Sequence, residues 1–110
     1  CQNMVNGITS ANLGKPDYQN ALKQHANYVE ALKKCGLKVT ILEANEAYPD
    51  SVFVEDTALI TPKCAILANP GSELRNGEKA EIEIALKNFF PDLQYILSPG
   101  FVDGGDVIFR

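Results

Sequence analysis

Histidine is almost missing from this chain of 110 residues, where His25 stands alone. The three cysteines, Cys1, Cys35 and Cys64, contain no C-x-x-C pair, so a zinc site lacks its usual ligands and none is expected. They are also too few and too irregular for a disulfide framework, and they read as reduced thiols of a cytosolic protein. No neighbouring base stands ready to activate any of them. Positive charge is in short supply too: 10 Lys and Arg face 14 Asp and Glu, a net charge of −4. That leaves no basic face for phosphate and weighs against a nucleic-acid partner. No apolar run approaches the roughly 20 residues that span a bilayer, and no basic leader precedes an apolar stretch. P-loop, G-x-S-x-G, H-E-x-x-H and dinucleotide fingerprints are absent, which removes the commonest nucleotide, esterase and metalloprotease readings. The ends lack the polar, fraying composition usual at domain termini. The chain opens on Cys1 and closes on Val107-Ile108-Phe109-Arg110, which resembles the middle of a buried strand, so a piece of a longer protein is expected.

What is present is an ordinary globular mixture, 45% hydrophobic and 22% charged, enough for one compact α/β domain. Residues 1–9 alternate weakly until Asn6-Gly7 signals a turn, and residues 11–16 read as a loop holding Gly14 and Pro16. A helix is expected over 17–35. Asp17 suits its positive end, and Ala21, Leu22, His25, Tyr28, Val29, Leu32 and Cys35 recur at helical spacing, with Gly36 as the stop. On that stripe His25 reads as a half-buried packing residue. Strands are expected at 37–43, 52–54, 58–60, 64–68, 93–97 and 107–110, with Thr61-Pro62-Lys63 closing a hairpin. A second helix is expected over 77–90, burying Ile82, Ala85, Leu86 and Phe89, with Pro91 ending it. The order helix, strand, acidic loop, strand thus occurs over 17–61 and again over 77–110. Units that each bury a single face need neighbours to close a core.

The chemistry sits in the acidic loops. Pro49-Asp50-Ser51-Val52-Phe53-Val54-Glu55-Asp56 and Val102-Asp103-Gly104-Gly105-Asp106 each bring carboxylates to the end of an apolar segment. Carboxylates in such a frame suit a planar guanidinium, which offers a rigid fork of N–H donors. In an extended strand Glu55 and Asp56 face opposite sides unless a bulge gathers them. Glycines beside Asp103 and Asp106 let backbone approach a ligand closely. An equally open reading makes these aspartates plain turn formers bonding their own backbone. Arg75 enters a helix from a polar loop, either to receive an anionic group or as a solvated surface arginine.

Five segments together resemble the dimethylarginine dimethylaminohydrolase family of the guanidino-group-modifying (amidinotransferase) superfamily. They are Met4-Val5-Asn6-Gly7-Ile8-Thr9, Leu13-Gly14-Lys15-Pro16-Asp17-Tyr18, Asp50 to Asp56, Pro70-Gly71-Ser72-Glu73-Leu74-Arg75-Asn76-Gly77-Glu78 and Asp103-Gly104-Gly105-Asp106-Val107. The resemblance implies a pentein-type α/β propeller of five repeated units, of which this chain holds about two. It implies hydrolysis of methylated arginines to citrulline and a methylamine through a cysteine-bound thiouronium, without a cofactor. Asp56 and Asp103 then hold the guanidinium, Asp103 standing where some relatives use Glu. Ile8, through its backbone, Asp50 and Glu55 line the pocket, Arg75 meets the substrate carboxylate, and residues 13–16 form a loop over the site, for which Gly14 supplies flexibility. The nucleophilic cysteine, the catalytic histidine and a second arginine are expected outside this chain, in the remaining repeats. Relatives that act on the same headgroup, arginine deiminases and amidinotransferases, stay open as alternatives, as does a non-catalytic guanidino-binding module. Unpaired strand edges favour association with further copies.

Overall fold

A computed structural model describes residues 1–108, which divide into two compact units, 1–49 and 50–108. The first unit opens with a 3-10 helix, Gln2–Asn6, in the weakly alternating stretch before the Asn6-Gly7 turn. The Glu46 carboxylate accepts from the backbone N–H of Gln2 at 2.7 Å and of Asn3 at 2.8 Å, so a side chain distant in sequence satisfies the turn's first donors. Helix α1 (Tyr18–Lys34) follows the loop. Asp17 caps it by accepting from the Asn20 N–H at 3.1 Å, and Lys33 and Lys34 lie at its negative end. Gly36, at φ +83°, stops it. The N–H of Leu37 returns to the Leu32 carbonyl and that of Gly36 to the Lys33 carbonyl, the paired bonds that a left-handed residue makes possible.

Two expectations fail in this unit. On the stripe of α1 only Val29 is buried, and His25 is exposed rather than half-buried. Residues 37–43 form no strand, because no described residue supplies the partner that a ladder requires.

The second unit is built on a sheet of three strands in the order β1 (Ala58–Ile60), β2 (Ala65–Leu67), β3 (Leu93–Tyr95). β1 and β2 form the expected antiparallel hairpin, with Leu59 opposite Ile66. Thr61 Oγ1 ties its turn by accepting from the N–H groups of Lys63 and Cys64. β3 lies parallel to β2, so the chain crosses over between them, and helix α2 (Lys79–Leu86) makes that crossing against β2. Ala65, Leu67 and Ala68 form the buried apolar centre.

The expected second helix is split: a 3-10 helix, Glu73–Glu78, leads into a shorter α2, and Phe89 is exposed. Residues 52–54 are not a strand either; they turn into a 3-10 helix, Val54–Thr57. Val107 and Ile108 form no strand, and the rest of that expected element, 109–110, lies outside the described residues. All three cysteines are free. No helix among the described residues is long and apolar enough to cross a membrane.

Candidate functional site

The segment from Asp50 to Thr57 is wound into consecutive tight turns. The Phe53 N–H donates to the Asp50 carbonyl at 3.0 Å, and the Asp56 N–H donates to the Phe53 carbonyl at 3.1 Å. Asp50 is buried, Phe53 and Glu55 are exposed, and Asp56 is half-buried. Extended chain was the wrong expectation, because β-propensity in Val52-Phe53-Val54 yielded to tertiary hydrogen bonds.

Arg75 bonds to three residues of these turns. Its Nη1 donates to Asp56 Oδ2 at 2.7 Å, and its Nη2 reaches the Asp50 carbonyl at 3.2 Å and the Phe53 carbonyl at 3.5 Å. Its Cζ lies 5.9 Å from the centre of the Phe53 ring, within cation–π range. From the other side Glu78 grips the same guanidinium, with Nε 3.2 and 3.1 Å from its two oxygens and Nη2 2.8 Å from Oε2. Described residues thus engage Nε, one N–H of Nη1 and both of Nη2. The side chain of Arg75 is 13% exposed and that of Glu78 2%, so Arg75 is no solvated surface arginine. Hydrogen bonds to Glu78, then to Asp56, hold the guanidinium protonated well above the ordinary arginine range.

A second turn packs against the first. Asp103 precedes the 3-10 helix Gly104–Asp106, and the Gly105 N–H donates to Asp56 Oδ1 at 3.2 Å. A Cβ at Gly104 would collide with the Glu55 carbonyl and sit 2.9 Å from that of Ala58; one at Gly105 would collide with Asp56 Oδ1 itself. Gly104 lets backbone meet backbone, and Gly105 lets the Asp56 carboxylate approach the turn. The Asp103 carboxylate accepts from the Gly71 N–H at 3.4 Å.

The second unit therefore brings Arg75, from the 3-10 helix Glu73–Glu78, against the turns that carry Asp50 and Asp56, while Asp103 leads into the turn packed beside them and Glu55 is exposed. Two carboxylates, those of Asp56 and Glu78, share the single cation Arg75, so this cluster stays negative in balance. Asp56 accepts one N–H on each oxygen and each retains a lone pair, which fits a further cationic donor. Ile8 lies in the first unit, exposed, in the loop beyond the opening 3-10 helix. Sequence reasoning missed Glu78 and Phe53. The Arg75-x-x-Glu78 spacing at a helix entry was the available signal for the former.

The family model for eukaryotic N,N dimethylarginine dimethylhydrolase matches residues 8–95. An N(G),N(G)-dimethylarginine dimethylaminohydrolase of Pseudomonas aeruginosa is 46% identical over 97% of this chain, and the alignment covers 42% of that relative. A solved dimethylarginine dimethylaminohydrolase, a histidine-to-glycine variant in adduct with S-methyl-L-thiocitrulline, superposes with a TM-score of 0.97 at 45% identity, over 100% of this chain and 44% of its own. The Pseudomonas aeruginosa enzyme solved as a cysteine-to-serine mutant with citrulline gives a TM-score of 0.96 at 45% identity, over 99% of this chain and 43% of its own. The chain thus spans less than half the length of the relatives it matches. With the family model matched across most of its residues, this chain belongs to the N,N dimethylarginine dimethylhydrolase family.

Proposed function

We propose that this chain is the guanidinium-gripping part of a hydrolase that converts Nω-methylated arginines to citrulline and a methylamine. The observation that carries the reading is Asp56, a half-buried carboxylate held by two fixed donors inside a cluster of negative balance. It accepts a guanidinium N–H of this same chain at 2.7 Å, which supports a role in holding a guanidinium. Asp103 supplies the second carboxylate from the adjoining turn. Arg75 meets the substrate's own carboxylate through its remaining Nη1 N–H, and Asp50 and Glu55 line the pocket. The solved relatives, one an adduct with S-methyl-L-thiocitrulline and one a complex with citrulline, support a reaction at the carbon of a guanidino-like group.

A guanidinium carbon is a poor electrophile because its charge is delocalised. Fixed carboxylates keep the group protonated and aim that carbon at a thiolate. The sulfur–carbon bond forms as the carbon–nitrogen bond to methylamine breaks, the leaving nitrogen taking a proton from a histidine. Water then adds, the carbon–sulfur bond breaks, and citrulline leaves. The cysteine and histidine lie outside residues 1–110 in this reading, so these residues alone are inactive. The same reading places the two repeats, 17–61 and 77–110, as neighbouring units of a five-unit pentein-type propeller.

The test is an assay of the full-length protein for citrulline formation from asymmetric dimethylarginine and from arginine. Asp56→Asn or Asp103→Asn lowers kcat/KM by on the order of 100-fold, because the lost charge served the transition state in a water-poor site. Preferred turnover of arginine would assign the protein to a deiminase or amidinotransferase instead. Ligand binding without turnover would make it a binding module.

A further inference from the structure

Glu78 is a carboxylate with 5% of its surface exposed, and the proposed reaction does not use it. It stands where the 3-10 helix Glu73–Glu78 runs into α2, and its side chain makes no capping bond. Both of its oxygens turn to Arg75 instead, at 2.8 to 3.2 Å. Arginine has a long, freely rotating stem, and a single contact at Asp56 leaves its fork undirected. The side-on grip of Glu78, with the Asp50 and Phe53 carbonyls behind it, fixes the guanidinium plane. One Nη1 donor is then presented to Asp56 Oδ2 while the Gly105 N–H holds Oδ1. Two fixed donors, one per oxygen, define the plane of the Asp56 carboxylate.

We propose that Glu78 is a positioning residue for the reaction: through Arg75 it sets the orientation in which Asp56 receives the substrate guanidinium. The inference rests on the reading of Asp56 given above. A loss of alignment at Asp56 acts on the transition state more than on ground-state binding. Arg75 is therefore a splint for Asp56 as well as a partner for the substrate carboxylate.

The experiment is a double-mutant cycle in the full-length protein with asymmetric dimethylarginine as substrate. Glu78→Gln keeps the shape but turns one acceptor into a donor facing Arg75. It lowers kcat by about tenfold, on the scale that small misplacements cost, with KM moving less than about threefold. In the Asp56→Asn background the same change costs no further activity within about threefold, because the two residues act as one unit. If Glu78→Gln does not fold, Glu78→Asp, which keeps the charge on a shorter arm, carries the same expectations. Losses that multiply in the double variant, or a raised KM with kcat intact, overturn the inference while leaving the enzyme reading in place. An inactive wild-type protein, or a fully active Asp56→Asn variant, overturns both.

Discussion

Replacing Arg75 with alanine strands the Glu78 carboxylate in a pocket that water hardly reaches, and takes from Asp56 its 2.7 Å partner. Burying an ion costs several kcal/mol, which only a well-placed counter-ion repays, so losing one partner costs about 3–5 kcal/mol. Arg75→Ala should therefore lower the thermal midpoint of the full-length protein far more than Lys33→Ala, whose pair with Glu30 is solvent-exposed. Equal midpoints for the two variants in a calorimetric scan would contradict the role given to Arg75. At this scale the sequence identified the acidic residues and the arginine as candidates. It could not reveal that Arg75 bonds Asp56 within the chain itself, because residues 19 apart meet only through the fold.

Among the elements, the 3-10 helix Gln2–Asn6 depends on Glu46, which lies far from it in sequence. Hydrogen bonds from the Gln2 and Asn3 backbone hold the Glu46 carboxyl below the ordinary glutamate range. A carboxyl lowered on folding contributes stability at pH above its unfolded value and loses it as pH falls through its folded value. This turn is accordingly intact at neutral pH and loosens on acidification below the usual glutamate pKa. In an NMR titration the Gln2 and Asn3 amide shifts should move together with the Glu46 side chain, at a pH below that of a free glutamate. Amides that titrate at the ordinary value, or not at all, would dissociate Glu46 from the turn. Elements with local signals were legible beforehand: α1 from Asp17 to Gly36, and the hairpin around Thr61-Pro62-Lys63. The turns at 53–57 and 73–78 were not, since apolar and polar runs there carry the same composition as strand and loop.

For the whole molecule the exposed apolar surface matters most. Ile84, Leu97 and Phe101 are largely exposed, and among the described residues the outer edges of β1 and β3 pair with nothing. Open strand edges are templates for pairing with other chains. Residues 1–110 expressed alone should self-associate, giving a sedimentation coefficient that rises with concentration. A dispersed monomer at high concentration would refute this.

Composition and local pattern alone determined the α/β class, the capped first helix, the hairpin and the acidic character of the two loops, because these follow from neighbours along the chain. Tertiary structure decided the rest. It wound Asp50 to Asp56 into consecutive tight turns, seated Gly104 and Gly105 against them, and set Arg75 between Asp56 and Glu78. Those contacts join residues far apart in sequence, and their geometry exists only once the backbone of one turn rests on another.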